Sequence, residues 1–126
     1  MIPTKILIVD DEPDILEFLS YNFRKKNFAV CTANNGVEGL QKAALEQPHI
    51  IISDILMPEM DGIEMCKKLR TKSELDFTPI LFLTAVRDDY KFIHAMTSGG
   101  DQFVSKPVRF DYLLNVVNNM VENKRI

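Results

Sequence analysis

The sequence is short of cysteine, of basic clusters and of long apolar runs, and each shortage closes off a class of function. Its two cysteines, Cys31 and Cys66, lie far apart and without metal-ligand spacing. They read as small buried thiols in a reducing compartment. Beyond Arg24-Lys25-Lys26 there is no basic cluster, and the formal net charge is −3. The basic stripe of a nonspecific nucleic-acid binder is therefore missing. No apolar run approaches the roughly 20 residues of a membrane span. Met1-Ile2-Pro3-Thr4-Lys5 leads directly into a short apolar run, without the long hydrophobic region of a signal peptide. A cytoplasmic protein that touches neither membrane nor nucleic acid directly is expected. No repeat or low-complexity segment interrupts the chain. Its 126 residues suit one domain, 1–126, with no room for an appended DNA-binding domain of ordinary size.

What is present is an alternation. Lys5-Ile6-Leu7-Ile8-Val9, Phe28-Ala29-Val30-Cys31-Thr32-Ala33, Ile50-Ile51-Ile52-Ser53, Ile80-Leu81-Phe82-Leu83 and Gln102-Phe103-Val104-Ser105 read as strands. Between them, apolar residues recur at helical spacing: Ile15, Leu16, Leu19 and Phe23; Val37, Leu40, Ala43, Ala44 and Leu45; Ile63, Cys66 and Leu69. Phe92, Ile93 and Met96 mark a fourth helix over Arg87 to Ser98, ended by Gly99-Gly100. Phe110, Leu113, Leu114, Val117, Met120 and Val121 mark the last. Helical crossovers make neighbouring strands parallel. The first, third and fourth strands are nearly all apolar and belong in the centre; the more polar second and fifth belong at the edges. The expected fold is α/β: a flavodoxin-like, doubly wound, five-stranded parallel sheet of order 2-1-3-4-5 with five helices.

In such a sheet the carboxyl ends of the strands share one rim, where ligands bind. Those ends supply Asp10-Asp11-Glu12, Asp54, Thr84 and Lys106. Converging carboxylates repel unless a cation neutralises them. Hard oxygen donors of this kind suit Mg²⁺, which takes one or two carboxylates and accepts a phosphate oxygen. A hydroxyl and an ammonium opposite are donors for the other phosphoryl oxygens. A carboxylate between them can act as a nucleophile and form an aspartyl phosphate. The site reads as phosphoryl chemistry on Asp54. His49 and His94 are isolated and read as structural or surface residues, and Asp61 reads as serving the Asp-Gly turn.

Asp10-Asp11, Asp54-x-x-Met57-Pro58-x-x-Asp61-Gly62, Thr84-Ala85 and Lys106-Pro107 resemble the signature of response-regulator receiver domains of two-component signalling. The resemblance covers essentially the whole chain. A chemotaxis member of that family has the same strand order, so the two expectations are not independent. The resemblance implies that Asp54 accepts a phosphoryl group from a histidine kinase or phosphotransfer protein. It implies Mg²⁺ held by Asp11, Asp54 and the Leu56 backbone carbonyl, with Asp10 acting mainly through water. Thr84 and Lys106 would contact the phosphoryl oxygens, and Lys106-Pro107 would be cis. Phe103 matches the family's switch aromatic; it would turn inward as Thr84 moves. The face made by the fourth helix, fifth strand and fifth helix would then change for a downstream target or a second copy. Such a protein phosphorylates and dephosphorylates itself with no external substrate, and so is not an enzyme in the usual sense.

The chain departs from the family at Gly100, where alanine is usual. Two residues after Asp54 and two after Thr84, at positions that in the family govern attack by water, stand the apolar Leu56 and Val86. A comparatively long-lived aspartyl phosphate is expected, because neither side chain can orient a hydrolytic water. The last helix begins Phe110-Asp111-Tyr112-Leu113-Leu114, without the Glu-Leu-x-Ala-Arg pattern common in receivers joined to winged-helix domains. A complete single-domain regulator and a receiver from a longer protein both fit. Three other readings are weaker. A haloacid-dehalogenase-like Mg²⁺-dependent phosphatase needs Asp-x-Asp after the first strand. A flavodoxin-like electron carrier needs a Ser/Thr/Gly-rich phosphate loop where Asp-Asp-Glu stands. A phosphorylation-independent interaction module would not need every site residue.

Overall fold

The five segments read as strands form strands in a computed structural model that describes residues 2–85 and 97–125. They are β1 (Lys5–Val9), β2 (Ala29–Ala33), β3 (Ile50–Asp54), β4 (Ile80–Thr84) and β5 (Gln102–Ser105). The described residues also hold four helices: α1 (Pro13–Lys25), α2 (Gly36–Glu46), α3 (Gly62–Leu69) and α4 (Phe110–Arg125). The helix expected over 87–98 lies outside the described residues except for its last two positions, so α4 is the last helix of the sequence reading. The sheet is parallel throughout, with order β2-β1-β3-β4-β5.

Alternation along each strand sends side chains to opposite faces and builds two cores. Leu7, Val9, Ile51, Ile80 and Phe82 face one way, where α2 and α3 contribute Ala43, Ile63, Met65, Cys66 and Leu69. Ile6, Ile8, Ile50, Ile52, Leu81 and Leu83 face the other, against Leu16, Leu19 and Phe23 of α1 and Leu113, Val117 and Met120 of α4. Burial on both faces is why β1, β3 and β4 read as unbroken apolar runs. Each buried Ile or Leu there contributes roughly 1.5–3 kcal/mol of transfer free energy.

The helices start where their caps dictate. Pro13 opens α1, where a missing N–H is harmless. Asn35 caps α2 by accepting from the Glu38 N–H at 2.9 Å, and Asp61 caps α3 by accepting from the Glu64 N–H at 2.8 Å. Asp61 thus serves the helix start as well as the Asp-Gly turn. Leu45, grouped with the apolar face of α2 in the sequence, is 78% exposed. It lies roughly 200° of helix rotation from the buried Ala43 and so points away from the sheet.

Candidate functional site

Asp54 ends β3, and its carboxyl group is buried. Three isoleucines and Ser53 before it are fully enclosed, so the carboxylate reaches the rim from a dry strand. Asp54 Oδ1 accepts from the Ile55 N–H at 2.8 Å. The next turn is held tightly: Gly62 N–H donates to the Ile55 carbonyl at 2.8 Å, and a Cβ on Gly62 would collide with the Asp54 carbonyl oxygen. Only glycine lets α3 begin this close to β3. In the same loop Glu59 takes a left-handed φ of 68°, which is uncommon outside glycine.

β1 delivers its carboxylates beside Asp54, since β1 and β3 pair directly. Asp10 is fully buried, and its Oδ1 accepts from the Glu12 N–H at 2.9 Å. Asp11 and Glu12 are exposed at the rim. Asp10, Asp11, Glu12 and Asp54 each offer an oxygen within 4.8 Å of the others.

The Lys106 ammonium enters from the far side of β4. Its backbone N–H donates to the Thr84 carbonyl at 2.9 Å, and its bond to Pro107 is cis. Nζ donates to Asp54 Oδ2 at 3.1 Å, to Glu12 Oε1 at 3.1 Å and to Asp10 Oδ2 at 3.3 Å. One cation is therefore shared by three carboxylates. Burial pushes the Asp10 and Asp54 carboxyls above their usual range, and the Asp10 charge adds to the effect at Asp54. The ammonium and the Glu12 and Ile55 N–H groups oppose this without cancelling it. Burial pulls Lys106 down, but the Glu12 hydrogen bond and the Asp54 and Asp10 charges outweigh it and raise it overall. The lysine stays charged, and the surplus negative charge remains unmet. Hard oxygen donors in excess fit a small divalent cation such as Mg²⁺.

The residues expected at the site are partly assembled. Asp10, Asp11, Asp54 and Lys106 converge, and Thr84 lies buried on the same rim at the end of β4. Leu56, two residues beyond Asp54, has a 52% exposed side chain. Phe103 stands two positions back from the end of β5, half-buried, its ring 5.5 Å from that of Phe82. Val86 and His94 lie outside the described residues. The His49 Nδ1 accepts from the Lys5 N–H at 2.9 Å, a structural contact at the amino-terminal ends of β1 and β3, away from the rim.

Two contacts were not foreseen. Glu12 was read only as part of an acidic run, although it holds Lys106. Arg70, given no role from the sequence, donates to the carbonyls of Gly99, Leu75, Asp76 and Thr78 and pairs with Asp101 at 3.1 Å. An Arg at a helix C-terminus before a loop rich in turn residues was the available signal.

Comparison with known proteins agrees with this geometry. The family model for the response regulator receiver domain matches residues 6–118. The chain is 43% identical over 103 residues to the alkaline phosphatase synthesis transcriptional regulatory protein PhoP of Bacillus subtilis. That match covers 82% of this chain and 42% of PhoP. It is 36% identical over 120 residues to hybrid signal transduction histidine kinase D of Dictyostelium discoideum, covering 95% of this chain and 8% of the kinase. The chain thus spans less than half the length of these curated relatives. Among solved structures, the chemotaxis protein CheY4 of Vibrio cholerae superposes with a TM-score of 0.89 at 34% identity, over 94% of this chain and 98% of that one. Among the described residues no helix is long and apolar enough to cross a membrane.

Proposed function

Since the chain belongs to the response-regulator receiver domain family, we propose that it is a phosphoacceptor whose signalling residue is Asp54. The observation that carries this is the pairing of a buried strand-end carboxylate with an ammonium at 3.1 Å inside a cluster of acids. The donor is a histidine kinase or phosphotransfer protein, and the site of action is the cytoplasm. Asp54 supplies the nucleophilic oxygen. Lys106 and the Thr84 hydroxyl donate to the phosphoryl oxygens. Asp11, Asp54 and the Leu56 carbonyl would hold Mg²⁺, with Asp10 acting through water. When bound, the ion supplies positive charge against the phosphoryl oxygens and the carboxylate surplus.

The output is a changed surface rather than a released product. Charge-assisted bonds to the phosphoryl group bias a two-state element. Thr84 shifts, Phe103 turns inward beside Phe82, and the face that β5 and α4 contribute to is altered. A downstream protein or a second copy reads that face. Incubation with Mg²⁺ and acetyl phosphate, or with beryllofluoride as a mimic, tests the reading. Uptake on Asp54 is expected; no uptake, or uptake that survives Asp54→Ala, refutes it.

A further inference from the structure

The Lys106 ammonium has three N–H donors, and three carboxylates occupy them. None is left over for a phosphoryl oxygen. One contact must break when a phosphoryl group arrives, and the three differ in how easily they break. Asp10 is fully buried and the Asp54 side chain is 9% exposed, whereas that of Glu12 is 58% exposed. Water can replace the ammonium at Glu12 at little cost, but not at the other two. The Glu12 backbone is meanwhile fixed, because its N–H is held by Asp10 Oδ1. Its carboxylate can swing away without moving the turn.

We infer that Glu12 is the exchangeable partner of Lys106: it parks the ammonium beside Asp54 in the resting protein, and its release lets that ammonium engage the incoming phosphoryl group. Glu12 is thus a positioning residue that sets the rate of phosphorylation. The inference rests on the reading of Asp54 as phosphoacceptor. It separates Glu12 from the metal ligands, although its oxygen lies near theirs. Removing the exposed contact accelerates phosphorylation by about two- to fivefold, the range of an exposed ion pair.

Charge and contact are separated by three variants, assayed with acetyl phosphate at saturating Mg²⁺. Glu12→Asp keeps the rim charge but is too short to reach Nζ. Glu12→Gln keeps an acceptor and loses the charge, and Glu12→Ala loses both. Glu12→Asp and Glu12→Ala are expected to react faster than wild type, with Glu12→Gln between, and the Mg²⁺ concentration giving half the maximal rate stays unchanged. A wild-type rate in Glu12→Asp with a fast Glu12→Gln means repulsion of the phosphodonor alone and overturns the inference. So does a shift in Mg²⁺ requirement that accounts for the rates. The contact is also read without phosphodonor, from hydrogen exchange of the Lys106 ammonium. Exchange slower in wild type than in Glu12→Asp is expected; equal exchange overturns it. Failure of the phosphoacceptor reading shows separately, as wild-type protein that takes up no phosphoryl group from acetyl phosphate.

Discussion

Burial leaves Asp10 and Asp54 easier to protonate than ordinary acids, and the one ammonium they share with Glu12 opposes this without cancelling it. A carboxyl group raised in the folded state contributes stability that is complete below its unfolded value, and loses it as pH climbs through the raised value. In EDTA, Asp10→Asn should therefore match wild type near pH 4 and melt a few degrees higher at neutral pH. Asn retains an acceptor for the Glu12 N–H. Thermal unfolding from about pH 4 to about pH 7.5 is the check, and an advantage that shrinks with rising pH contradicts it. Leu56 poses a kinetic question at the same scale. Its exposed side chain offers water no hydrogen bond. Leu56→Asn and Val86→Glu should each speed loss of the phosphoryl group about tenfold, short of the ~10²–10⁴ of a full general base. Decay of labelled protein after donor removal measures this, and unchanged decay in both variants rules the barrier out.

At the scale of elements, two joints matter more than any strand. At the first, α3 begins against β3, where only glycine fits. Gly62→Ala should displace the Asp54 carbonyl and depress phosphorylation more than it depresses the melting temperature. A parallel loss of both would make the position a packing site alone. The second joint is Arg70, which ties the segment after α3 to the entrance of β5. Its removal leaves several inward carbonyls without a donor, at about 2–4 kcal/mol. Arg70→Lys should recover only part of that, because an ammonium lacks the planar fork. Urea unfolding of both variants decides it, and full recovery by lysine would refute the fork argument.

For the whole molecule, strand order was legible because burial on both faces writes itself into composition: Ile50-Ile51-Ile52 could only be central. The edge positions of β2 and β5 followed from their polar residues. The gathering of Asp10, Asp11, Asp54 and Lys106 at one rim was legible too, since a parallel sheet brings strand ends together whatever lies between. The Arg70 hub was not, because four of its five partners are backbone carbonyls, which leave no trace in residue type. The Glu12–Lys106 pair was hidden for another reason. Its members are 94 residues apart, and both types are ordinary on a surface. Leu45 misled because an apolar residue close in sequence to Ala43 was grouped with it, although two positions along a helix put it on the opposite side. Ligand linkage is also a property of the whole fold. Mg²⁺ at about 100 times its dissociation constant should stabilise the protein by about 2.7 kcal/mol. The gain should vanish in Asp11→Ala, as read by thermal shift; a gain that persists would place the ion elsewhere.

β5 is tied at both ends by cations of different character. At its start, Asp101 accepts from Arg70 and from the Ile80 N–H, and the Asp101 N–H donates to the Ile80 carbonyl. At its end, Lys106 spans β4 to reach β3 and β1. On the proposed reading, phosphorylation would leave the first anchorage unaltered, whereas the second shares its ammonium with the proposed phosphoacceptor, Asp54. An edge strand so mounted would act as a lever with its pivot at Asp101. Amide exchange at Asp101 should then hold steady on adding beryllofluoride, while exchange at Lys106 changes, so that the displacement grows along the strand toward the rim.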